Sequence, residues 1–230
     1  MVEQYYPLIN KVFNTLSLKD KLRDTFAKPF VTFSRDPGSG GAPIAKAVAD
    51  KLGFTFIDKQ IIEHITESTK QRHAIVKAVD ERSRTKIEDM VHSLLNQEYF
   101  DDVKYFQELV TIILVYAHNG RVVILGRGAN FITPGNKGLH VRVTAPLDVR
   151  IKRAMDYEGF NKEQARQTIR KKEEERRKFV HQYFDKDIAD AQNYDLVVNT
   201  AQFSIEEASE VIVTAFYRKF SRLRRYSNIF

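Results

Sequence analysis

At 230 residues and 43% hydrophobic content, the chain can build one well-cored domain, alone or with a helical appendage. It has no Cys, which excludes disulfides and thiolate metal sites, and no apolar run near the roughly 20 residues that a bilayer requires. Lysine and arginine number 37 against 30 acids, and the net charge of +7 suits anionic ligands such as nucleotides or weak nucleic-acid binding.

The N-terminal stretch MVEQYYPLINKVFNTLSLKDKL carries acids, amides and proline, so it reads as no signal peptide, and a cytoplasmic location is expected. Leu8, Val12, Phe13 and Leu16 fall at helical spacing, which predicts a helical arm over 1–28 ended by Pro29. FVTFS (30–34) is a short apolar run of the kind buried in a parallel sheet. Residues 43–52 form a helix, with Pro43 tolerated in its first turn and Gly53 as its stop. FTFID (54–58) predicts a second strand. No strand pattern appears from 59 to 119, a helical and highly charged stretch read as an insertion. RVVILG (121–126), LHVRVTA (139–145) and YDLVVNT (194–200) predict three more strands. Helices fall at 146–156 and 161–182, and Ser204 caps a last helix to about 220. Strands alternating with helices predict a three-layer α/β fold with a five-stranded parallel sheet. The tail over 221–230 is basic with aromatics interleaved. Packing of its rings on the body is expected rather than contact with nucleic acid or membrane.

Residues 31–52, VTFSRDPGSGGAPIAKAVADKL, set a glycine-rich turn between a strand and a helix. Small residues there let backbone N–H groups share a concavity, and the helix adds the positive end of its dipole. The pattern G-x-x-x-x-G-K-[ST] is not met. Arg35 stands at its first glycine, Gly41 at its lysine and Ala42 at its hydroxyl. The turn can hold phosphate through its backbone but has no point charge of its own. The six histidines show no metal-ligand spacing, so no protein-held metal is expected.

VTFSRDPGSGGAPIAKAVADKLGFTFIDKQII resembles the N-terminal signature of the cytidylate kinase-like proteins, a branch of the nucleoside monophosphate kinases with the P-loop NTPase fold. VVILGRGANFI, VRVTAPLDVRIKRAM, EEERRKFVHQYF and YDLVVNTAQFSIEEASEVI resemble later segments of the same family, in order, so that the likeness extends over about residues 30–215. It implies a P-loop kinase domain over 29–220, with 59–119 as a helical acceptor-site insertion and 156–190 as a lid. It implies ATP and Mg²⁺ as cofactors and a nucleoside monophosphate, of CMP or dCMP type, as acceptor. Gly38, Ser39, Gly40, Gly41 and Ala42 would hold the ATP phosphates. Arg35 would swing over those phosphates in place of the lysine. Asp58, Lys59, Arg127 and Arg150 would meet the acceptor, and Arg153 and Arg176 the transferring phosphoryl group. Two alternatives stand beside this reading: a nucleotide-binding or regulatory protein without catalysis, and a kinase of a small non-nucleotide acceptor. A homodimer through the arm or the insertion helices is a further expectation.

Overall fold

The computed structural model describes Phe26, residues 28–94 and residues 101–221. The arm expected over 1–28 and the tail over 221–230 therefore lie outside the described residues, apart from Phe26, Lys28 and Ser221. Five strands form one sheet: β1 (Phe30–Arg35), β2 (Thr55–Ile57), β3 (Val122–Leu125), β4 (Gly138–Thr144) and β5 (Leu196–Asn199). Their order is β2-β3-β1-β4-β5, and every pairing is parallel. The helices are α1 (Gly41–Leu52), α2 (Lys59–Glu67), α3 (Thr69–Lys77), α4 (Glu81–Leu94), α5 (Asp101–Asn119), α6 (Ala129–Ile132), α7 (Leu147–Glu158), α8 (Lys162–Phe184) and α9 (Ile205–Phe220).

Strand alternation distributes the core. Val31 and Phe33 of β1, Val123 and Leu125 of β3, and Val141 and Val143 of β4 face α1 and α9. Their neighbours point the other way. Under β3 and β2 that second face is apolar, with Val122, Ile124 and Ile57 covered by α2, α4 and α5. Under β1 and β4 it is polar, because Thr32 sits opposite His140 and Ser34 opposite Arg142 in the β1–β4 register. Thr32 and His140 pair at 2.7 Å, and Arg142 Nη1 donates to Ser34 Oγ at 3.3 Å. Half of one sheet face is thus left for polar contacts, and it leads to the carboxyl ends of the strands. In open parallel sheets ligands meet the protein at that edge.

Two helices frame the edge. In α1, Ile44, Ala45, Val48 and Ala49 are buried against the sheet. Cutting Ile44 to Ala would cost on the order of 2–5 kcal/mol. α8 begins with a reciprocal cap between Asn161 and Gln164 and runs 23 residues with only Ala165, Ile169, Val180 and Phe184 buried. Its start packs on α7 and its end on the insertion. The charged middle of α8 spans the gap between them. The segment 59–119 is helical in all its described elements, as expected, and Ser68 both ends α2 and caps α3. The four-residue α6 was not expected from the pattern of the sequence. It is too short to show a period, and it follows a turn in which Gly126, Arg127 and Gly128 are all left-handed (φ 91, 53 and 66).

Candidate active site

The glycine turn leaves β1 at Arg35, and the Asp36 amide donates to Val143 O at 3.0 Å. The Ser39 amide and hydroxyl both return to Asp36 O, at 3.2 and 2.8 Å. Gly38 and Gly40 are left-handed, with φ of 77° and 79°, a region in which a side chain is strained. The first bond of α1 runs from Ile44 N to Gly40 O at 3.1 Å. The amides of Gly41 and Ala42 precede it and have no intrahelical carbonyl, and Pro43 has no N–H at all. The turn therefore presents donors at the positive end of a helix.

A turn that aims its N–H groups at a ligand aims its carbonyls away, and those carbonyls need donors behind them. Arg150 and Arg153 of α7 supply them. Arg150 is buried. Its Nε donates to Ala145 O at 2.8 Å, and its Nη1 donates to Pro37 O at 3.3 Å and to Glu173 Oε1 at 2.6 Å. The Gly38 backbone lies so near Arg150 that a Cβ there would stand 2.9 Å from Arg150 O. Arg153 donates to Ser39 O at 3.2 Å and to Thr200 O at 2.7 Å, and Thr200 Oγ1 donates to Ser39 O at 2.8 Å. Neither arginine lines the adjoining cleft. This differs from the expectation that both touch phosphate, and the carbonyls of Pro37 and Ser39 are the reason.

A cleft of about 310 Å³ opens beside the turn. Its cations come from four elements: Arg35 from β1, Lys59 from α2, Arg127 from the β3–α6 turn, and Lys172 and Arg176 from α8. Phe33, Phe131 and Phe179 are part of its apolar lining. The Arg35 stem passes over Gly41, where a Cβ would lie 2.5 Å from Arg35 Cβ, and its guanidinium reaches Gly126. Arg35 thus fills the space that a side chain at 41 would need, and its own charge is delivered into the cleft. Burial, then the neighbouring Arg176, pushes Arg35 down to about 9. Asp36 does not pair with it, being held at 2.7 Å by Arg142.

Three of the other cations are lowered too. Burial lowers Arg127, Arg176 and Lys59, and Arg127 lowers Lys59 further. Arg176 Nη1 donates to Arg35 O at 2.7 Å, so α8 is tied to the end of β1. Arg127 contacts Glu63 of α2 and lies 5.0 Å from the centre of the Phe179 ring. Its Nε is buried without a partner, as is Nδ2 of Asn130, which also lines the cleft. Asp58 caps α2 by accepting from Ile61 N at 3.0 Å, and it is near enough to Arg35 to favour its charge.

Of the residues singled out in the sequence, Arg35, Lys59, Arg127 and Arg176 meet in one cleft. Gly38, Ser39, Gly40, Gly41 and Ala42 form the turn, and Asp58 stands at the cap of α2. Arg142, Glu63 and Asn130 were missed. Arg142 had a signal, since a charge in LHVRVT alternates with apolar residues on a central strand. Glu63 lies four residues after Lys59, the spacing of a helical ion pair, and the two are 3.7 Å apart. Among the described residues no group of three or more His, Cys, Asp or Glu is arranged to hold a metal ion. No described helix is long and apolar enough to cross a membrane.

A profile of the cytidylate kinase-like family matches residues 30–202. The cytidylate kinase of Ignicoccus hospitalis is 28% identical over 182 residues, covering 79% of this chain and 95% of that protein. That of Sulfolobus acidocaldarius is 25% identical over 190 residues, covering 82% and 94%. An uncharacterized protein from Eubacterium ventriosum superposes with a TM-score of 0.66 at 17% identity, over 83% of this chain and 99% of that one, a likeness of fold. The chain belongs to the cytidylate kinase-like family, phosphotransferases built on the nucleotide-binding P-loop fold.

Proposed function

We propose that the protein transfers the terminal phosphoryl group of ATP to a nucleoside monophosphate, with a pyrimidine of the CMP or dCMP type as the preferred acceptor. One observation carries the proposal: Arg35, Lys59, Arg127 and Arg176 come from four elements and meet in one cleft, the three arginines largely withdrawn from water and Lys59 at the exposed rim. Burying three arginines together with few acids is unfavourable unless an anion completes the set. A phosphoryl transition state spreads negative charge over several oxygens and is stabilised by such a set.

In this reading the amides of Gly40, Gly41 and Ala42 cradle the donor phosphates, with Gly38 and Ser39 shaping the turn. Arg35 takes the place of the lysine. Arg176 closes on the transferring group, and Arg127 with Lys59 grips the acceptor phosphate. Arg150 and Arg153 act from behind, by fixing the turn. Mg²⁺ would come as a companion of ATP, held mainly by phosphates and water, with Glu175 in the cleft lining and Asp58 at the cap of α2 as nearby carboxylates. It would neutralise charge on the phosphates.

A second reading has one observation in its favour. Position 42 offers no hydroxyl, and the Ser39 hydroxyl is turned back onto Asp36 O. A protein that binds nucleotide without transfer would tolerate both. Transfer of phosphate from ATP to a panel of nucleoside monophosphates, with shikimate-sized non-nucleotide alcohols as controls, separates the readings. Transfer to CMP or dCMP above all others is expected. Binding of ATP with no transfer to any acceptor favours the second reading.

A further inference from the structure

We infer that Asn130 reads the part of the acceptor beyond its phosphate, donating from Nδ2 to an oxygen or ring nitrogen of the sugar or base. The inference rests on the acceptor site proposed above. Asn130 is three residues past Arg127, in the first turn of α6, and lines the same cleft. Its Nδ2 is fully buried. A buried amide donor without a partner is destabilising, and native proteins keep very few of them.

The neighbourhood offers no internal remedy. Thr133 Oγ1 donates to Ala129 O at 2.7 Å, and Gly128 O accepts from Phe131 N at 2.8 Å. Phe184 is packed so closely on Gly128 that a side chain at 128 has no room. Recognition on this wall of the cleft therefore falls to Asn130. The adjoining Arg127 Nε is likewise buried and unpaired. With Arg35 beside them, the donors on this wall outnumber the acceptors. The matching ligand is rich in acceptor atoms at two points, a phosphate and a second polar edge. A nucleoside monophosphate has both, and inorganic phosphate has only the first.

A carboxamide that is idle in the free protein and engaged in the complex has a distinctive signature. Its removal relieves the free protein and weakens the complex. Asn130→Leu should leave the melting temperature of the free protein equal or higher, while CMP binding, measured by calorimetry, weakens ten-fold or more. Inorganic phosphate should bind both forms within two-fold. Ribose 5-phosphate locates the contact: a loss like that of CMP assigns the sugar, and an unchanged affinity assigns the base. Asn130→Ala serves if the leucine form does not fold. Equal CMP affinity in wild type and variant overturns the inference, as does a wild type that binds no nucleoside monophosphate. Binding that depends on Asn130 without any phosphoryl transfer would sink the proposed catalysis and leave this contact standing.

Discussion

The glycine turn and the neighbouring cleft are both rich in arginine, and they use it in opposite ways. Behind the turn, Arg150 and Arg153 are matched to the carbonyls of Ala145, Pro37, Ser39 and Thr200 and to Glu173. In the cleft, burial and the neighbouring Arg176 hold Arg35 down to about 9, and Arg127 has a buried nitrogen without a partner. The first region is complete as it stands. The second is left short of negative charge. Arginine in a phosphate-handling site thus has two occupations, framing and gripping, and the hydrogen-bond inventory tells them apart where residue type cannot.

The strongest way to break this distinction is Arg35→Met, which keeps the stem over Gly41 and removes the charge. If Arg35 replaces the missing lysine, turnover should fall about 10³-fold, or roughly 4 kcal/mol, with ATP affinity within a few fold. The free protein should become more stable. Arg35 is lowered to about 9 in the fold, so above that pH the folded state has shed a proton that the unfolded chain still binds, and stability rises with pH. Below about 9 the full penalty of the buried charge is present, and the variant is rid of it. Urea melts of both forms at pH 7 and pH 10 should show the gap narrowing at the higher pH. A variant that is less stable at pH 7 and equally active would mean that Arg35 is a framing residue.

Arg150→Met tests the other side. It strands the carbonyls of Pro37 and Ala145 and unpairs Glu173, and should cost about 3 kcal/mol of folding stability. ATP binding should weaken with it. If stability is unchanged and only the acceptor KM rises, Arg150 grips the acceptor after all.

Arg127→Lys keeps the charge and loses the fork. Acceptor binding should weaken by on the order of 1.5–3 kcal/mol, with ATP binding little changed. Equal losses for both substrates, read by calorimetry, would put Arg127 outside the acceptor site. The smallest effect is expected from Glu63→Gln. In the free protein Glu63 contacts Arg127 and stands 3.7 Å from Lys59, where it competes with an incoming phosphate. Removing its charge should strengthen acceptor binding by under about 1 kcal/mol. Weaker binding would show that Glu63 positions Arg127 rather than competing for it.

Much of this was legible in the sequence. The apolar runs at 30–34, 121–126 and 139–145 became β1, β3 and β4, and Ser204 caps α9 as expected. The glycine turn and the arginines that meet around it were also readable. What the sequence could not reveal was direction. Arg150 and Arg153 sit three apart on α7, and one face of a helix serves a ligand or a loop equally well until the loop's carbonyls have positions. Asn130 was unreadable for another reason. Nothing local marks an amide whose partner is absent, since its signal is a contact that the chain does not make.

The close approach of Arg35 and Gly41 also constrains how this site can change. With 2.5 Å between Arg35 Cβ and a Cβ at 41, the two positions are epistatic. Gly41→Lys alone collides with Arg35, and Arg35→Gly alone removes the cation that stands over Gly41. Each single step passes through a form that is crowded or one cation short at the turn, and only the double exchange reaches a lysine-bearing loop. Drift at one position is therefore trapped by the other, and an engineer restoring the lysine has to move both residues at once.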